Sequence, residues 1–399
     1  MNIDSSRHLG TPGMLDGIRV LDFSAVIAGP YCTRMLADLG ADVIKVEPPE
    51  GELLRHAPPF RENESGDPVS TLFAPLNAGK RCISLDLKHP EAKSIVLELV
   101  KRSDIVMENF APGVMARLGF DYQSLKTHNE SLIMCSISGY GQSGPMSKRP
   151  AYAPIVHAWS GFDLTLLDAQ SGIDKPLNMG PPVADTTASQ QAFGALCAAL
   201  FHRERTGVGQ YIDISMYDAL IATLHKDLQQ AQQPLDNDRF YGPLQTQDGW
   251  LVIMVLSDRH FAGLAKAMNE PNLANDERFR TSSARFDNYN ELMKLVEQWS
   301  MKLPTNTVHD RFTNEGVPSS PYRTLADTLD DPQLHQRDML TAVEDSAGPL
   351  TVANSAMLFS ETPAAIPSWV ADVGEHNREV FIKELGFDEN QLSALNLKA

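Results

Sequence analysis

The sequence is poor in cysteine and in positive charge, and it contains no long apolar run. Its four cysteines are widely separated and form no CxxC pair, which predicts reduced thiols in a cytoplasmic protein rather than disulfides or a zinc site. The formal net charge of -17 argues against a nucleic-acid partner, because phosphate backbones are bound by basic surfaces. No run reaches the roughly 18 apolar residues of a membrane span, so we expect no membrane partner.

The histidine spacing bears on metal binding, and the N-terminal segment bears on the location of the protein. The histidines show no HxxxH or HxH spacing, so we predict no bound metal. Residues 1–13 are polar and lack the apolar core of a signal peptide, which predicts a loose tail and a cytoplasmic location. With 399 residues, the chain is long enough for two or three domains with a sizeable core.

Strand-like runs alternate with helix-like runs through the N-terminal third of the chain. The predicted strands cover residues 18–23, 42–46, 82–86, 105–107 and 132–137, and the predicted helices cover residues 31–39 and 90–102. Repeated βαβ units of this kind predict a parallel sheet with helices on its faces. We therefore expect an α/β fold with a Rossmann-like large domain.

A nicotinamide-dependent dehydrogenase is the first alternative for a βαβ start. An acidic residue, Glu47, follows the second predicted strand, as in many such enzymes. The turn after the first strand, residues 25–30, nevertheless lacks GxGxxG and so provides no close approach to a dinucleotide pyrophosphate. The sequence therefore argues against a dinucleotide site.

The composition changes after residue 225. Residues 226–240 are polar and poor in helix-forming pattern, which predicts a linker. An apolar run over residues 249–255 then opens a smaller α/β domain, assigned to residues 241–325, and amphipathic helices are predicted over residues 259–268 and 288–302.

Asp185 lies in Gly180-Pro-Pro-Val-Ala-Asp185-Thr-Thr-Ala188, just before a run with helical spacing of apolar residues. We expect it at or beside the helix N-cap, where unpaired amides and the helix dipole favour an ionised carboxylate. The ordinary interpretation of such a residue is a helix cap. The alternative is a nucleophile, because an ionised and oriented carboxylate can attack an electrophile.

Further segments complete a pattern over nearly the whole chain. They are Leu15–Asp22, Leu36–Glu47, Asn77–Arg81, Glu108–Gly113, Arg117–Phe120, Ser138–Gln142, Arg203–Gln210, Asp213–Ala219, Gly316–Pro321 and Gly374–His376. In this order, and together with Asp185, they resemble the class III coenzyme A (CoA) transferases, the family that includes formyl-CoA and carnitine CoA transferases. The match is specific because many positions agree at once.

The resemblance implies both an activity and an architecture. Asp185 would move CoA from an acyl-CoA donor to a carboxylic acid through a mixed anhydride and an aspartyl-CoA thioester, with CoA as substrate and no permanently bound cofactor. Residues 14–225 would form the large CoA-binding domain, which the return linker and helices of residues 326–399 would rejoin. Two chains would interlock as linked rings in a homodimer.

The resemblance also implies roles for individual residues. Those implied in CoA binding are Val26, Ala28, Asn77, Lys80, Arg81, Asn109, Phe110 and Arg117, with Lys148 and Arg149 as weaker candidates. Tyr152 and Met216 would face the substrate. The ordinary interpretations are solvated charges for the lysines and arginines and a core position for Met216. His157, Arg149 and Tyr152 suggest a second substrate carboxylate, and hence a short dicarboxylic acid.

Two alternatives to the transferase remain open from the sequence. An acyl-CoA racemase of the same superfamily would need a histidine where this chain has Tyr152, and a tyrosine side chain, with an ordinary pKa of about 10, fits poorly with proton transfer near neutrality. A silent acyl-CoA binder is the second alternative. The chain also departs from relatives in lacking a glycine-rich loop around residues 240–249 and in carrying Ile27 and Ala153 where relatives have an amide and an acid.

Overall fold

The computed structural model describes residues 13–168, 173–176, 180–234, 242–389 and 391. Residues 1–12, including most of the expected N-terminal tail, lie outside this part of the chain. The described residues form two compact units. Unit 1 comprises those of Met1–Asp163, Asn178–His225 and Pro332–Ala399, and unit 2 comprises those of Leu164–Leu177 and Lys226–Asp331.

Thirteen strands are found in the described residues. They are β1 (Arg19–Asp22), β2 (Asp42–Glu47), β3 (Phe60–Glu62), β4 (Pro68–Ser70), β5 (Arg81–Ser84), β6 (Ile105–Glu108), β7 (Ile133–Ser138), β8 (Tyr211–Ser215), β9 (Leu244–Gln245), β10 (Trp250–Ile253), β11 (Ser319–Pro321), β12 (Leu340–Asp345) and β13 (Gly348–Ala353). Six of them form one parallel sheet in the order β5-β2-β1-β6-β7-β8. The predicted Rossmann-like parallel sheet is therefore confirmed.

Sixteen α-helices accompany these strands in the described residues. They are α1 (Ala28–Asp38), α2 (Ala74–Asn77), α3 (Ala92–Val100), α4 (Val114–Leu118), α5 (Tyr122–Lys126), α6 (Ala153–Ser160), α7 (Phe162–Asp168), α8 (Val183–Thr206), α9 (Met216–Ile221), α10 (His225–Gln232), α11 (Asp258–Ala267), α12 (Ser282–Asp287), α13 (Tyr289–Ser300), α14 (Thr305–Asn314), α15 (Leu325–Thr328) and α16 (Pro332–Gln336). Short 3₁₀ turns cover Leu53–His56 and Pro271–Asn275, and a π-helical segment covers Arg378–Glu384. Within this part of the chain, no helix is long and apolar enough to cross a membrane.

The parallel sheet of unit 1 is covered on both faces. Successive side chains of a strand point to opposite faces, so Val20 joins a core with α1, α8 and α9, whereas Leu21 joins a second core with α3. Helix α1 begins at Ala28, three residues earlier than predicted, because Pro30 is tolerated in the first helical turn. Apolar residues on both faces explain why these strands read as near-continuous hydrophobic runs.

The strand order places a crevice between β1 and β6. The chain builds the sheet outward from β1 through β2 to β5, and then returns to place β6 on the other side of β1. At such a switch point the loops at the carboxyl ends of the two strands separate, and ligands bind between them. Here the Phe23 N–H donates to the Met107 carbonyl (2.8 Å), which fixes the two strand ends side by side.

Unit 2 contains a three-stranded antiparallel sheet in the order β11-β10-β9. Helices α11, α13 and α14 contribute Phe261, Leu264, Val296 and Phe312 to its core. The linker expected over residues 226–240 is not poor in helix at its start, because α10 occupies His225–Gln232. Residues 235–240 lie outside the described residues.

Candidate active site

A cavity of about 600 Å³ opens at the carboxyl edge of the parallel sheet in unit 1. The loops after β1, β6 and β7 and the first residues of α8 and α9 line it. Most of the predicted site residues meet here, namely Val26, Ala28, Asn109, Phe110, Arg117, Lys148, Arg149, Tyr152, Asp185 and Met216. We call this the Asp185 cavity.

Asp185 is the third residue of α8 and not its N-cap. The N-cap residue is Pro182, whose side chain makes no capping hydrogen bond. Asp185 therefore lies in the first turn, where the helix dipole still favours a negative charge. Partial burial raises the pKa of Asp185 to about 6, although its own backbone N–H and that of Ala28 act in the opposite direction.

The start of α1 meets the start of α8 beside this carboxylate. Ala28 is the first residue of α1, and its backbone N–H acts to lower the pKa of Asp185. Ser189 Oγ lies 2.6 Å from the Ala28 carbonyl and 2.7 Å from the Asp185 carbonyl, so it ties the two helices together. Ala188 packs in the same core between them. Asp185 thus lies where the positive ends of two helices meet, and the N–H groups of Ala28 and of Asp185 itself act on its carboxylate.

His157 bonds to the first turn of α8 and does not line the Asp185 cavity. Its side chain is buried, and its Nε2 accepts a hydrogen bond from the Ala184 N–H (3.0 Å), which no cap residue satisfies. Burial lowers the pKa of His157, while Asp163 acts in the opposite direction. The expectation that His157 faces a second substrate carboxylate is therefore wrong.

In the turn after β1, side chains form hydrogen bonds with most of the backbone N–H and carbonyl groups of residues 24–26. The bonds are Ser24 N–H to Asp22 Oδ1 (2.9 Å), Lys45 Nζ to the Ser24 carbonyl (2.8 Å), Ala25 N–H to Asn109 Oδ1 (2.9 Å), Asn109 Nδ2 to the Ala25 carbonyl (2.8 Å) and Val26 N–H to Glu52 Oε2 (3.0 Å). Sequence reasoning missed Lys45 and Glu52. The only signal was Lys45 inside a predicted buried strand, where a charge requires a partner.

Asn77, Lys80 and Arg81 do not reach the Asp185 cavity. Lys80 is fully buried and donates to Asp22 Oδ2 (3.1 Å), the Pro30 carbonyl (3.0 Å) and Asn77 Oδ1 (2.9 Å). Burial lowers the pKa of Lys80 to about 8, although Asp22 opposes this. The ordinary interpretation as a solvated charge is also wrong for Lys80.

Arg81 lies at the wrong edge of the sheet for the cavity. It is the first residue of β5, so it belongs to the amino edge of the parallel strands, opposite the loops that line the cavity. There it forms ion pairs with Asp42 (2.6 Å), Glu379 (2.8 Å) and Glu384 (2.5 Å). These ion pairs link β5 to β2 and to the π-helical segment Arg378–Glu384.

Three cations line the cavity and form no ion pair with any described carboxylate. They are Arg117, Lys148 and Arg149. Arg117 belongs to the short helix α4, which starts after the left-handed Gly113 (φ 85°). A Cβ at position 113 would lie 3.3 Å from Arg117 Nη1, so glycine leaves room for the guanidinium. The Arg149 guanidinium lies 5.2 Å from the Trp159 ring centroid.

Tyr152 and Met216 occupy opposite environments at the rim and floor of the cavity. Tyr152 precedes α6 and its side chain is exposed. Met216 is buried in the core shared by α1, α8 and α9, and it also lines the cavity. Across the described residues, no group of three or more His, Cys, Asp or Glu side chains could hold a metal ion.

Comparisons with known proteins agree with this geometry. The family model CoA-transferase family III matches residues 15–377. The chain is 35% identical to succinyl-CoA:mesaconate CoA-transferase of Haloarcula hispanica, covering 94% of this chain and 97% of that protein. It is 34% identical to succinate–glutarate CoA-transferase of Agrobacterium fabrum, covering 92% and 94%.

A solved structure has a similar fold. A CAIB/BAIF family protein from Brucella suis is 32% identical, with a TM-score of 0.81 over 94% of this chain and all of that chain. The named relatives are transferases, which supports the transferase expectation and not the racemase or silent-binder alternatives. The chain therefore belongs to CoA-transferase family III and is an enzyme that moves CoA from an acyl-CoA donor to a carboxylic acid.

Proposed function

We propose that Asp185 is the nucleophile of this CoA transferase. Its carboxylate attacks the thioester carbonyl of the donor, which releases CoA thiolate and forms a mixed anhydride. The thiolate then attacks the aspartyl carbonyl, giving an aspartyl-CoA thioester and the free donor acid. The acceptor carboxylate repeats these two steps in reverse and leaves as its CoA thioester, which restores Asp185. Thioester and carboxylate are exchanged for thioester and carboxylate, so no other energy source is needed.

The observation that carries this proposal is the convergence of two helix starts on Asp185. Partial burial removes water from the carboxylate, which makes it a stronger nucleophile, and the Ala28 N–H keeps it oriented. With the pKa of Asp185 at about 6, the nucleophilic form predominates at neutral pH. The same N–H groups suit the oxyanion that forms when a thioester carbonyl is attacked.

For the substrates, we propose that the three unpaired cations of the cavity bind anionic groups. Arg117, Lys148 and Arg149 suit the CoA phosphates and the far carboxylate of a short dicarboxylic acid. The two relatives act on mesaconate and glutarate by name, which supports a dicarboxylic acceptor.

The remaining cavity residues complete the proposed contacts. Val26, Ala28, Asn109 and Phe110 would contact CoA, and Tyr152 and Met216 would contact the acyl group. The ion pairs of Lys80 and Arg81 support structural roles for them instead, as does the bond of Asn77 to Lys80.

The larger organisation is proposed from the family resemblance. We propose a large domain over residues 14–225 that residues 326–399 rejoin, a small domain over residues 241–325, and an interlocked homodimer without a permanently bound cofactor. Four free cysteines, three of them buried, suit a reducing cytoplasm. Light scattering at several protein concentrations tests the dimer, since interlocked chains would not dissociate on dilution.

Trapping the covalent intermediate tests the function. Purified protein is mixed with a panel of short acyl-CoA donors, quenched with hydroxylamine and examined by intact-protein and peptide mass spectrometry. We expect a hydroxamate on Asp185 that is absent from the Asp185→Asn variant. A panel in which no donor modifies Asp185, although acyl-CoA binds, would contradict the proposal.

A further inference from the structure

Glu52 is a buried carboxylate next to the Asp185 cavity, and it does not line the cavity itself. Its Oε2 accepts hydrogen bonds from the Val26 N–H (3.0 Å) and from the Leu54 N–H (3.3 Å). Its Oε1 lies 3.8 Å from Lys45 Nζ, which is also fully buried. Glu52 thus contacts the lining of the cavity through the hydrogen bond that it accepts from the Val26 N–H.

That N–H belongs to a strained residue. Val26 has φ 65°, a left-handed conformation that is a rare outlier for a β-branched residue. Such a conformation persists only where surrounding contacts hold it, and such residues are concentrated at active sites. Two residues later, Ala28 begins α1; it lines the cavity together with Asp185, and Ser189 Oγ bonds to the carbonyls of both residues. The direction of the Ala28 N–H therefore depends on the conformation at Val26.

We infer that Glu52 is a positioning residue for the transfer reaction, because it holds Val26 in the left-handed conformation that directs the Ala28 N–H to Asp185. Lys45 supports the same turn twice, since it donates to the Ser24 carbonyl (2.8 Å) and balances the charge of Glu52. This inference rests on the proposed role of Asp185. It adds a residue from the segment after β2 that never touches the substrate.

The test compares the single-turnover rate of Asp185 hydroxamate formation among variants that remain folded. Glu52→Ala removes the acceptor of the Val26 N–H, and we expect the rate to fall roughly tenfold to a hundredfold, as for loss of a hydrogen bond to a charged group. Glu52→Gln keeps one acceptor oxygen and loses the charge, so its rate should lie between those of Glu52→Ala and the wild type. Glu50→Gln is the matched control, because it removes an exposed charge two residues away.

A second substitution separates positioning from a general loss of stability. Glycine adopts a left-handed conformation without strain, so Val26→Gly in the Glu52→Ala background should raise the rate about fivefold or more. In the wild-type background the same change should not raise the rate, because Glu52 already holds the turn and the change removes the proposed contact between Val26 and CoA. Thermal unfolding of each variant confirms that the rates are measured on folded protein.

The outcomes separate this inference from the proposed function. If the wild-type protein forms no Asp185 adduct, the proposed function has failed. If the wild type forms the adduct but Glu52→Ala reacts at the wild-type rate, only the positioning role is overturned. A Glu52→Ala defect that Val26→Gly does not reduce would also overturn it, because the defect would then arise elsewhere.

Discussion

The buried cations of unit 1 differ from those of the Asp185 cavity in having partners. Lys80 pairs with Asp22 (3.1 Å), and Arg34 pairs with Asp38 (2.6 Å) inside the protein. The cavity cations form no such pair with the described residues, and they are exposed. A cation that already has a carboxylate partner stabilises the fold, whereas one without a partner is available to an anionic substrate.

This difference could not be predicted from the residue types. Lys80 and Arg81 stand in a family motif beside a predicted strand, as a phosphate-binding pair would. Their partners, Asp22, Asp42 and Glu384, are brought to them only by sheet order and by the return of the C-terminal segment. Removing a buried, paired cation should therefore lower the free energy of unfolding, whereas removing a cavity cation should raise the KM for acyl-CoA.

The largest effect is expected for Lys80→Met, which leaves Asp22 as an unpaired buried charge. Breaking a buried ion pair from one side costs about 3–5 kcal/mol, so the free energy of unfolding in urea should fall by that amount. Lys148→Met makes the same chemical change at an exposed residue and should leave the unfolding free energy within about 0.5 kcal/mol of the wild-type value. Equal losses in the two variants would remove the distinction.

The next effect concerns substrate binding. Arg117→Ala should raise the KM for acyl-CoA about tenfold to a hundredfold, because a charge-assisted hydrogen bond to an anion is lost. Its unfolding curve should match that of the wild type. Arg205→Ala, which removes an exposed arginine near the far end of α8, is the control and should leave KM unchanged. An unchanged KM in Arg117→Ala would show that the cavity cations do not bind CoA.

The pH dependence of the reaction follows from Asp185. Burial raises the pKa of Asp185 to about 6, and in the proposed mechanism only its ionised form attacks the thioester. The reactive form is present above this pKa and is lost as the pH falls through it, so kcat/KM should fall about tenfold per pH unit below about pH 6. Stopped assays with a pH-stability control measure this, and a flat profile down to about pH 5 would contradict it.

The smallest expected effect is that of salt. Exposed cations are screened at high ionic strength, with a Debye length of about 10 Å at 0.1 M and about 3 Å at 1 M. The KM for acyl-CoA should rise a few-fold across that range, while the difference in unfolding free energy between the wild type and Lys80→Met should change little. A KM that is independent of salt would weaken the case for a cationic CoA site.

The sequence predicted the parallel sheet and most of the residues that line the cavity. The strands could be predicted because buried parallel strands are continuously apolar, and Asp185 could be predicted as a site residue because it stands at the start of a run with helical spacing within a long motif. Glu52 could not be predicted, because its function depends on the backbone angle of Val26, which lies 26 positions away in the sequence. His157 was predicted to face the substrate, but its Nε2 accepts a hydrogen bond from the Ala184 N–H instead.

The most direct test of the Asp185 mechanism follows oxygen atoms. The enzyme is cycled with an acceptor acid that carries ¹⁸O in its carboxylate and with an unlabelled acyl-CoA donor. If Asp185 forms the anhydrides, one acceptor oxygen passes to Asp185 and, in later turnovers, appears in the released donor acid. Label in the donor acid already in the first turnover would mean that acceptor and donor form an anhydride directly, and a donor acid that stays unlabelled while acceptor-CoA accumulates would mean that no oxygen passes through Asp185; either result contradicts the central claim.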